Sequence, residues 1–271
     1  MRPRAGDQHV SLDILFDPLF RTPFLVGLIL SAVLPLLGNL LRLRDEWLAA
    51  LGLAYLAGAT GLIGLAFGIP SVLGAPLGAL GGAAVKAFGR YQGNTIYALM
   101  VLVGWCTTML VAANSPLGNV VGYELIEGQL YFAGTVHLAA AATVAALAGL
   151  TLPLITHPLI RARLAPRYER ANRLPAWRWH LGFDALVALG LAVGAGTLGL
   201  LGAFAMAFVP PLIAFRLASS WRRCQVVSVG VGIATYIAAF ASALLLDQPF
   251  GPTLVAVLVA AAFVAMIVRR A

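Results

Sequence analysis

Few side chains in this 271-residue sequence are of a type that could bind an ion or transfer a proton from within its long apolar segments. Asp184 is the clearest, about one turn into such a segment, and His137 and His157 lie near the two ends of another. No two histidines are four residues apart, so no helix offers the paired imidazoles of a zinc site. The GxSxG, HExxH and GxxxxGKS/T motifs are also missing, which disfavours an intramembrane protease and a self-contained ATPase.

Acidic and amide side chains gather in two connections between apolar segments. Glu124, Glu127 and Gln129 lie in the polar stretch 114–132, and Asp247 lies just before the last apolar segment. Carboxylate and amide oxygens are ligands for hard cations. We predict that these four residues line a translocation path or an outer vestibule, although the stretch 114–132 would equally suit contact with a partner.

A pair of prolines, Pro210 and Pro211, interrupts the apolar segment 199–218. Each proline removes a backbone N–H donor and bends a helix. Such breaks at membrane depth occur where protein or a water-filled cavity surrounds them. The pair is therefore predicted to lie beside the translocation path, in a helix that is either kinked or split into a hairpin.

The positions of these residues depend on the apolar runs that carry them. The chain is 61% hydrophobic and 10% charged, and its apolar residues form about nine continuous runs. A helix of about 20 such residues spans the hydrocarbon core, and continuous rather than alternating runs argue against a barrel. The sequence therefore predicts an all-α, polytopic integral membrane bundle. The predicted spans are residues 22–41, 47–68, 70–88, 95–113, 133–160, 181–198, 200–218, 224–246 and 250–268.

Basic residues occupy alternate gaps between these runs. Fifteen of the eighteen Lys and Arg residues fall on one side by this count, and cytoplasmic loops are the ones that retain Lys and Arg. This predicts an N-terminus outside and a cytoplasmic C-terminus. The net charge of +8 reflects this bias and does not indicate a nucleic-acid partner. Residues 1–21 are predicted to form a periplasmic or interfacial segment, and residues 22–271 a single transmembrane domain.

The most basic gap, residues 161–180, contains two prolines. Pro166 suits the first turn of a helix, and Pro175 disfavours continuing that helix beyond Leu174. A short cytoplasmic helix is therefore predicted near 165–174. It would serve either to dock a partner or to bind membrane lipid headgroups.

Three further residues are predicted to have structural roles. Asp184 is expected to reach the membrane interface or to pair with an arginine such as Arg178. Cys106 and Cys224 lie near opposite halves of the membrane and are predicted to be small buried apolar residues rather than a disulfide.

Several segments, taken in order, carry a resemblance to a known family. GLLGAFAMAFVPPLIAFRLASSWRR at 199–223 is followed by LLLDQPFGPT at 244–253, which contains an Asp-x-Pro-x-Gly-Pro pattern. LIEGQLYFAGTVHL at 125–138, RLRDEWLAALGLAYLAGA at 42–59 and APRYERANR at 165–173 complete the series. Together they resemble the zinc/manganese/iron-type family of ABC importer permeases over nearly the whole chain.

The resemblance implies an importer subunit located in a bacterial inner membrane, with no catalytic residue and no cofactor of its own. A separate cytoplasmic ABC ATPase would dock on the coupling helix, and a periplasmic solute-binding protein would deliver the cargo, zinc or manganese in the family. Two copies of the chain would pair as a homodimer around the path. The docking residues implied by this resemblance are Pro166, Tyr168, Glu169, Arg170 and Ala171.

The sequence also departs from the family pattern. The second helix of the family carries an Asp and, four residues on, a His, and Ala49 and Leu53 stand at those places when aligned through Gly58. The family's Phe-Gly-Asp motif reads Glu127-Gly128-Gln129 here. We therefore expect the cargo to be a transition metal ion or a metal complex, with the metal ligands unknown.

Two alternatives remain open. One is a metal-chelate permease of the siderophore or cobalamin type, which normally has more spans and a longer chain. The other is a secondary transporter without an ATPase, which the lack of a chain of buried carboxylates disfavours.

Overall fold

The computed structural model describes residues 18–88, 93–114, 128–165, 168, 172 and 177–268. Within these ranges, nine helices are long and apolar enough to cross a membrane, and no residue is in a strand. The helices are α1 Arg21–Leu43, α2 Ala49–Ala66, α3 Ser71–Phe88, α4 Asn94–Asn114, α5 Thr135–Leu164, α6 Trp177–Leu198, α7 Leu200–Leu217, α8 Trp221–Leu245 and α9 Phe250–Val268. Short 3-10 helices, Pro18–Phe20 and Leu130–Phe132, precede α1 and α5. The predicted polytopic helical bundle is confirmed.

Each predicted span has a helix whose ends lie within four residues of the predicted ones. The largest differences are at α5, which continues past residue 160 to Leu164, and at α6, which begins at Trp177. Both extensions are basic or aromatic. Hydropathy marks only the part of a helix that lies in hydrocarbon, whereas the backbone hydrogen bonds continue into the interface.

The most buried helices, α1 and α6, lie at the centre of the bundle. α1 packs against α5, α6, α7 and α8, while α2 packs against α3, α4, α6 and α7. The side chains of Leu30, Leu34 and Leu37 on α1 are almost completely buried in the main core. α3 and α5 are much less buried and present long apolar faces outward, as expected for helices that contact lipid or a second chain.

A close contact between backbones joins α1 to α7. A Cβ atom placed on Gly38 of α1 would overlap the carbonyl oxygen of Ala207. Pro211, four residues after Ala207, has no N–H to donate to that carbonyl. The proline thus leaves the carbonyl free to face α1, and glycine allows the approach.

Basic residues from several of the connections between helices lie together at one end of the bundle. The end of α1 meets the start of α6 through Arg44 and Asp184, and Lys86 at the end of α3 meets the same carboxylate. The Arg42 guanidinium lies 5.4 Å from the centre of the Phe215 ring, near the end of α7. We call this the basic end.

Six aromatic rings form a cluster at the opposite end, where α1 begins and α8 meets α9. Tyr131 lies 5.8 Å from Phe20 and 6.1 Å from Phe250 between ring centres. The Tyr236 hydroxyl donates a hydrogen bond of 3.0 Å to the Phe24 carbonyl. Phe240 contacts four of these rings, so the cluster ties the segment before α5 to α1 and to the α8–α9 connection.

Candidate coupling and translocation sites

Tyr168 is the one predicted docking residue that falls within the described part of the chain. Its ring lies 4.8 Å from the Arg161 guanidinium, and its N–H donates to the Ala165 carbonyl at 3.0 Å. The Asn172 N–H donates to the Tyr168 carbonyl at 3.1 Å, with the four-residue spacing of an α-helical turn. Pro166, Glu169, Arg170 and Ala171 lie outside the described residues, so the docking site stays a prediction.

Four charged side chains meet at the basic end, and we call Arg44, Glu46, Lys86 and Asp184 the charged ring. Arg44 lies 2.8 Å from Asp184 and 2.8 Å from Glu46. Lys86 lies 2.6 Å from Asp184 and 3.0 Å from Glu46. Each cation therefore contacts both carboxylates, and the ring has no net charge.

The charged ring is nearly inaccessible to solvent. Its side chains are 4–14% exposed, with Asp184 the most buried. Burial lowers the pKa of Arg44, but the charges of Asp184 and Glu46 outweigh it, so the pKa lies above its ordinary value. The Arg44 guanidinium also lies 5.1 Å from the centre of the Phe183 ring. A buried charge is tolerated when it is paired and hydrogen-bonded, and each member of the ring meets both conditions.

The structure corrects one expectation for Asp184. Its partners are Arg44 and Lys86 rather than Arg178, whose guanidinium instead lies over the Trp177 ring at 5.7 Å. In the sequence, Arg44 and Lys86 fall in two separate basic gaps, and the pattern of gaps did not predict their contact with Asp184. The available signal was an acidic residue one or two turns inside a span, at the end predicted to carry fifteen of the eighteen Lys and Arg residues.

A cavity of about 410 Å³ lies against the charged ring. Beyond the ring, its walls include Arg163 near the end of α5 and Trp177 and His180 at the start of α6. α5 and α6 are the two helices that flank the predicted coupling segment. The ring is therefore next to that segment's two attachment points.

The predicted outer residues are only partly described. Glu124 and Glu127 lie outside the described residues. Gln129 directly precedes the 3-10 helix of the aromatic cluster, and Asp247 lies in the α8–α9 connection, so both are at the end opposite the charged ring. Asp247 is exposed and has a φ of 50°, in the left-handed region.

Pro210 and Pro211 are both buried within α7, which runs as one helix from Leu200 to Leu217. The hairpin alternative is therefore excluded. Pro211 packs towards Gly38 of α1, so the pair contributes to helix packing, and its place beside a path stays a prediction.

A groove with a cavity volume of about 710 Å³ opens between α1, α5 and α8. Its wall is mostly small or apolar, including Val33, Ala148 and Leu152. The polar side chains that line it are all near the basic end. They are Thr156, His157, Trp221, Arg222 and Gln225. Within the described part of the chain, the residues that line this groove include no carboxylate.

Buried polar side chains also lie between α1 and α8, which the sequence did not predict. The thiol of Cys224 lies 3.7 Å from the Asn39 amide oxygen. Asn39 Nδ2 and Ser228 Oγ are buried and make no hydrogen bond to any described residue. Cys106, by contrast, is exposed on α4, so its predicted burial is wrong, because an apolar run does not reveal which helix face points outward.

Metal ligation has no clear centre among the described residues. No group of three or more His, Cys, Asp and Glu side chains in the described ranges could hold a metal ion. Ala49 and Leu53, at the places of the family's Asp and His, are fully buried in the core. A bare transition metal ion would need ligands other than these two.

The bundle, with its charged end and its groove, defines a polytopic helical membrane protein. The model of the ABC 3 transport family matches residues 17–269, and this chain belongs to that family. The predicted family resemblance is thereby confirmed. The chain is a multi-pass membrane protein and a transport subunit, which in bacteria lies in the inner membrane.

Two solved structures have a similar fold. PsaBC from Streptococcus pneumoniae in complex with Fab matches with a TM-score of 0.81 and 14% identity, over 93% of this chain and 93% of that chain. The inward-facing conformation of a protein described as a metal-chelate type ABC transporter matches with a TM-score of 0.72 and 16% identity, over 96% of this chain and 91% of that chain. A comparison with curated protein sequences gave no match.

Proposed function

We propose that this chain is the membrane-spanning permease of an ABC importer for a transition metal ion or metal complex. The observation that carries the proposal is the family match over residues 17–269. In the proposal a separate cytoplasmic ATPase hydrolyses ATP, a periplasmic solute-binding protein delivers the cargo, and two copies of the chain form the path. Zinc and manganese are the first cargoes to test.

The basic end is proposed to face the cytoplasm. Arg42, Arg44, Lys86 and Arg161 gather there, as expected for cytoplasmic loops of a membrane protein. This orientation puts the N-terminus outside and the coupling segment near 165–174 inside. The ATPase would then reach Pro166, Tyr168, Glu169, Arg170 and Ala171.

The groove between α1, α5 and α8 is proposed as one half of the path. α5 is only partly buried within the chain, so a second copy would have an apolar helix to cover. Pairing two grooves would enclose a channel without exposing backbone polar groups to lipid. Glu124, Glu127, Gln129 and Asp247 would guide cargo at its outer end.

The groove favours cargo in the form of a complex. Bare divalent metals bind best to carboxylate, imidazole or thiolate ligands. Among the described residues, the groove is lined by the imidazole of His157, the guanidinium of Arg222 and the amide of Gln225, without a carboxylate. Hydrogen-bond donors and a cation suit an anionic or polar ligand shell around the metal.

The test is metal accumulation by cells that lack the gene for this chain. Under metal limitation, deletion is expected to lower the cellular content of one transition metal, measured by inductively coupled plasma mass spectrometry. Complementation with the full chain should restore it, and the chain purified from native membranes should carry an ATPase subunit. Unchanged contents of all transition metals, with no ATPase in the purified material, would contradict the proposal.

A further inference from the structure

The charged ring joins three separate parts of the chain. Arg44 and Glu46 belong to the connection between α1 and α2, Lys86 lies in the last turn of α3, and Asp184 lies in the second turn of α6. These parts have no covalent connection near the ring. Ion pairs at 2.6–3.0 Å therefore hold the three parts to one another.

Separating the ion pairs of the charged ring would cost free energy. Each of its cations contacts two carboxylates, and its side chains are 4–14% exposed. Separating Asp184 from Arg44 and Lys86 would leave a buried carboxylate without a partner, which is strongly unfavourable. Each cation also lies near an aromatic ring, Arg44 near Phe183 and Lys86 Nζ 6.0 Å from the centre of the Tyr97 ring, and separation would weaken these contacts as well.

The charged ring lies close to the coupling segment, through which the proposed ATPase would move the permease. α6 begins at Trp177, directly after the coupling segment of the proposed function. Asp184 is seven residues further along the same helix, and the cavity against the ring extends to Arg163 at the other side of the segment. A displacement of the coupling segment would thus move the start of α6 and, through Asp184, the other members of the ring.

We propose that the charged ring is a permanent clamp that makes the start of α6, the end of α3 and the α1–α2 connection move as one body during transport. The inference rests on the proposed function, since it assigns the ring the task of passing ATPase-driven motion to α1–α3. The alternative is a latch, in which the ion pairs of the ring would break and re-form in each transport cycle. In this proposal the four residues act as positioning residues.

The clamp is tested by replacing its ion pair with a covalent link. Lys86→Cys with Asp184→Cys removes one cation and one anion, so Arg44 and Glu46 remain as a neutral pair. A Cys106→Ser background removes the exposed native thiol. The variant complex with its ATPase is expected to hydrolyse ATP but to transport about tenfold less per ATP than the background protein, because the coupling is lost.

Bridging the two new cysteines with a short bis-methanethiosulfonate reagent is expected to restore most of the transport, whereas the background protein should not respond to the reagent. Transport that is normal without the bridge would show that the ring is not a coupling clamp. Transport that is blocked by the bridge would show that the ring must open. Background protein that assembles with no ATPase and transports nothing would instead contradict the proposed function itself.

A second measurement leaves the ring intact. Spin labels at Ala87→Cys and Gly182→Cys would occupy exposed positions on α3 and α6, and a side chain at Gly182 meets no atom within 4 Å. The distance between the labels is expected to be the same in nucleotide-free and ATP-trapped complexes in double electron–electron resonance. A distance that changes between the two states would overturn the clamp.

Discussion

Lys86 Nζ lies 2.6 Å from Asp184 Oδ2, although 98 residues separate them in the sequence. Arg44, 140 residues before Asp184, holds the other oxygen of the same carboxylate at 2.8 Å. A single acid near the start of α6 thus fixes the ends of two other membrane helices. Asp184 therefore joins the start of α6 to the basic ends of both α1 and α3.

Asp184→Asn is expected to lower the free energy of unfolding by about 3–5 kcal/mol, because it leaves two buried cations with one carboxylate. Denaturant unfolding of the protein in detergent micelles would measure the change. Asp247→Asn, at an exposed position, is the matched control and should change stability little. Equal stability of the two variants would mean that the ring contributes nothing.

Glu169→Arg with Arg170→Glu is expected to release the ATPase subunit while the permease stays folded. Both residues belong to the proposed docking segment, where opposite charges would face the wrong partners across the interface. Co-purification of the ATPase with the tagged permease is the measurement, and thermal unfolding of the permease is its control. Retention of the ATPase at the level of the parent protein would contradict the assignment of Glu169 and Arg170 to the docking site.

Different substitutions separate the contribution of the Asp247 charge from that of its left-handed backbone conformation. Its φ of 50° favours Asp, Asn or Gly, so Asp247→Gly and Asp247→Asn should fold normally and Asp247→Val should destabilise the α8–α9 turn. If its charge guides cations, uptake at limiting metal should fall in the Gly and Asn variants as well. Normal uptake in both would leave Asp247 as a turn-forming residue only.

Gly38→Ala is expected to destabilise the bundle by about 1–3 kcal/mol, since the added methyl group would overlap the Ala207 backbone. Gly230→Ala on α8 is the matched control, because a Cβ there meets no atom within 4 Å. Thermal unfolding would compare the two. An unaffected Gly38 variant would show that α1 and α7 can separate without loss.

Cysteine labelling in intact cells would test the orientation of the chain in the membrane. Asn172→Cys, in a Cys106→Ser background that keeps only the buried Cys224, is expected to react with a membrane-impermeant maleimide only after the cells are opened. The reason is that the basic gaps are retained on the cytoplasmic side. Reaction in intact cells would show that the topology is the opposite of the predicted one and would contradict the coupling proposal.

The number and limits of the spans were available from the sequence, because about 20 apolar residues must be helical in hydrocarbon. The shared end of the basic gaps followed from the same reasoning. The hydropathy pattern did not reveal the outward-facing side of α4, where Cys106 is exposed, because an all-apolar helix has no polar face to mark it.

By itself, the sequence determined which segments cross the membrane and which gaps lie together, since both depend on local transfer of side chains between water and hydrocarbon. Only the tertiary structure decided that Arg44, Glu46 and Lys86 enclose Asp184. Partners so far apart in sequence are selected by how α1, α3 and α6 pack. That packing depends on the shapes of many side chains at once, which no local pattern records.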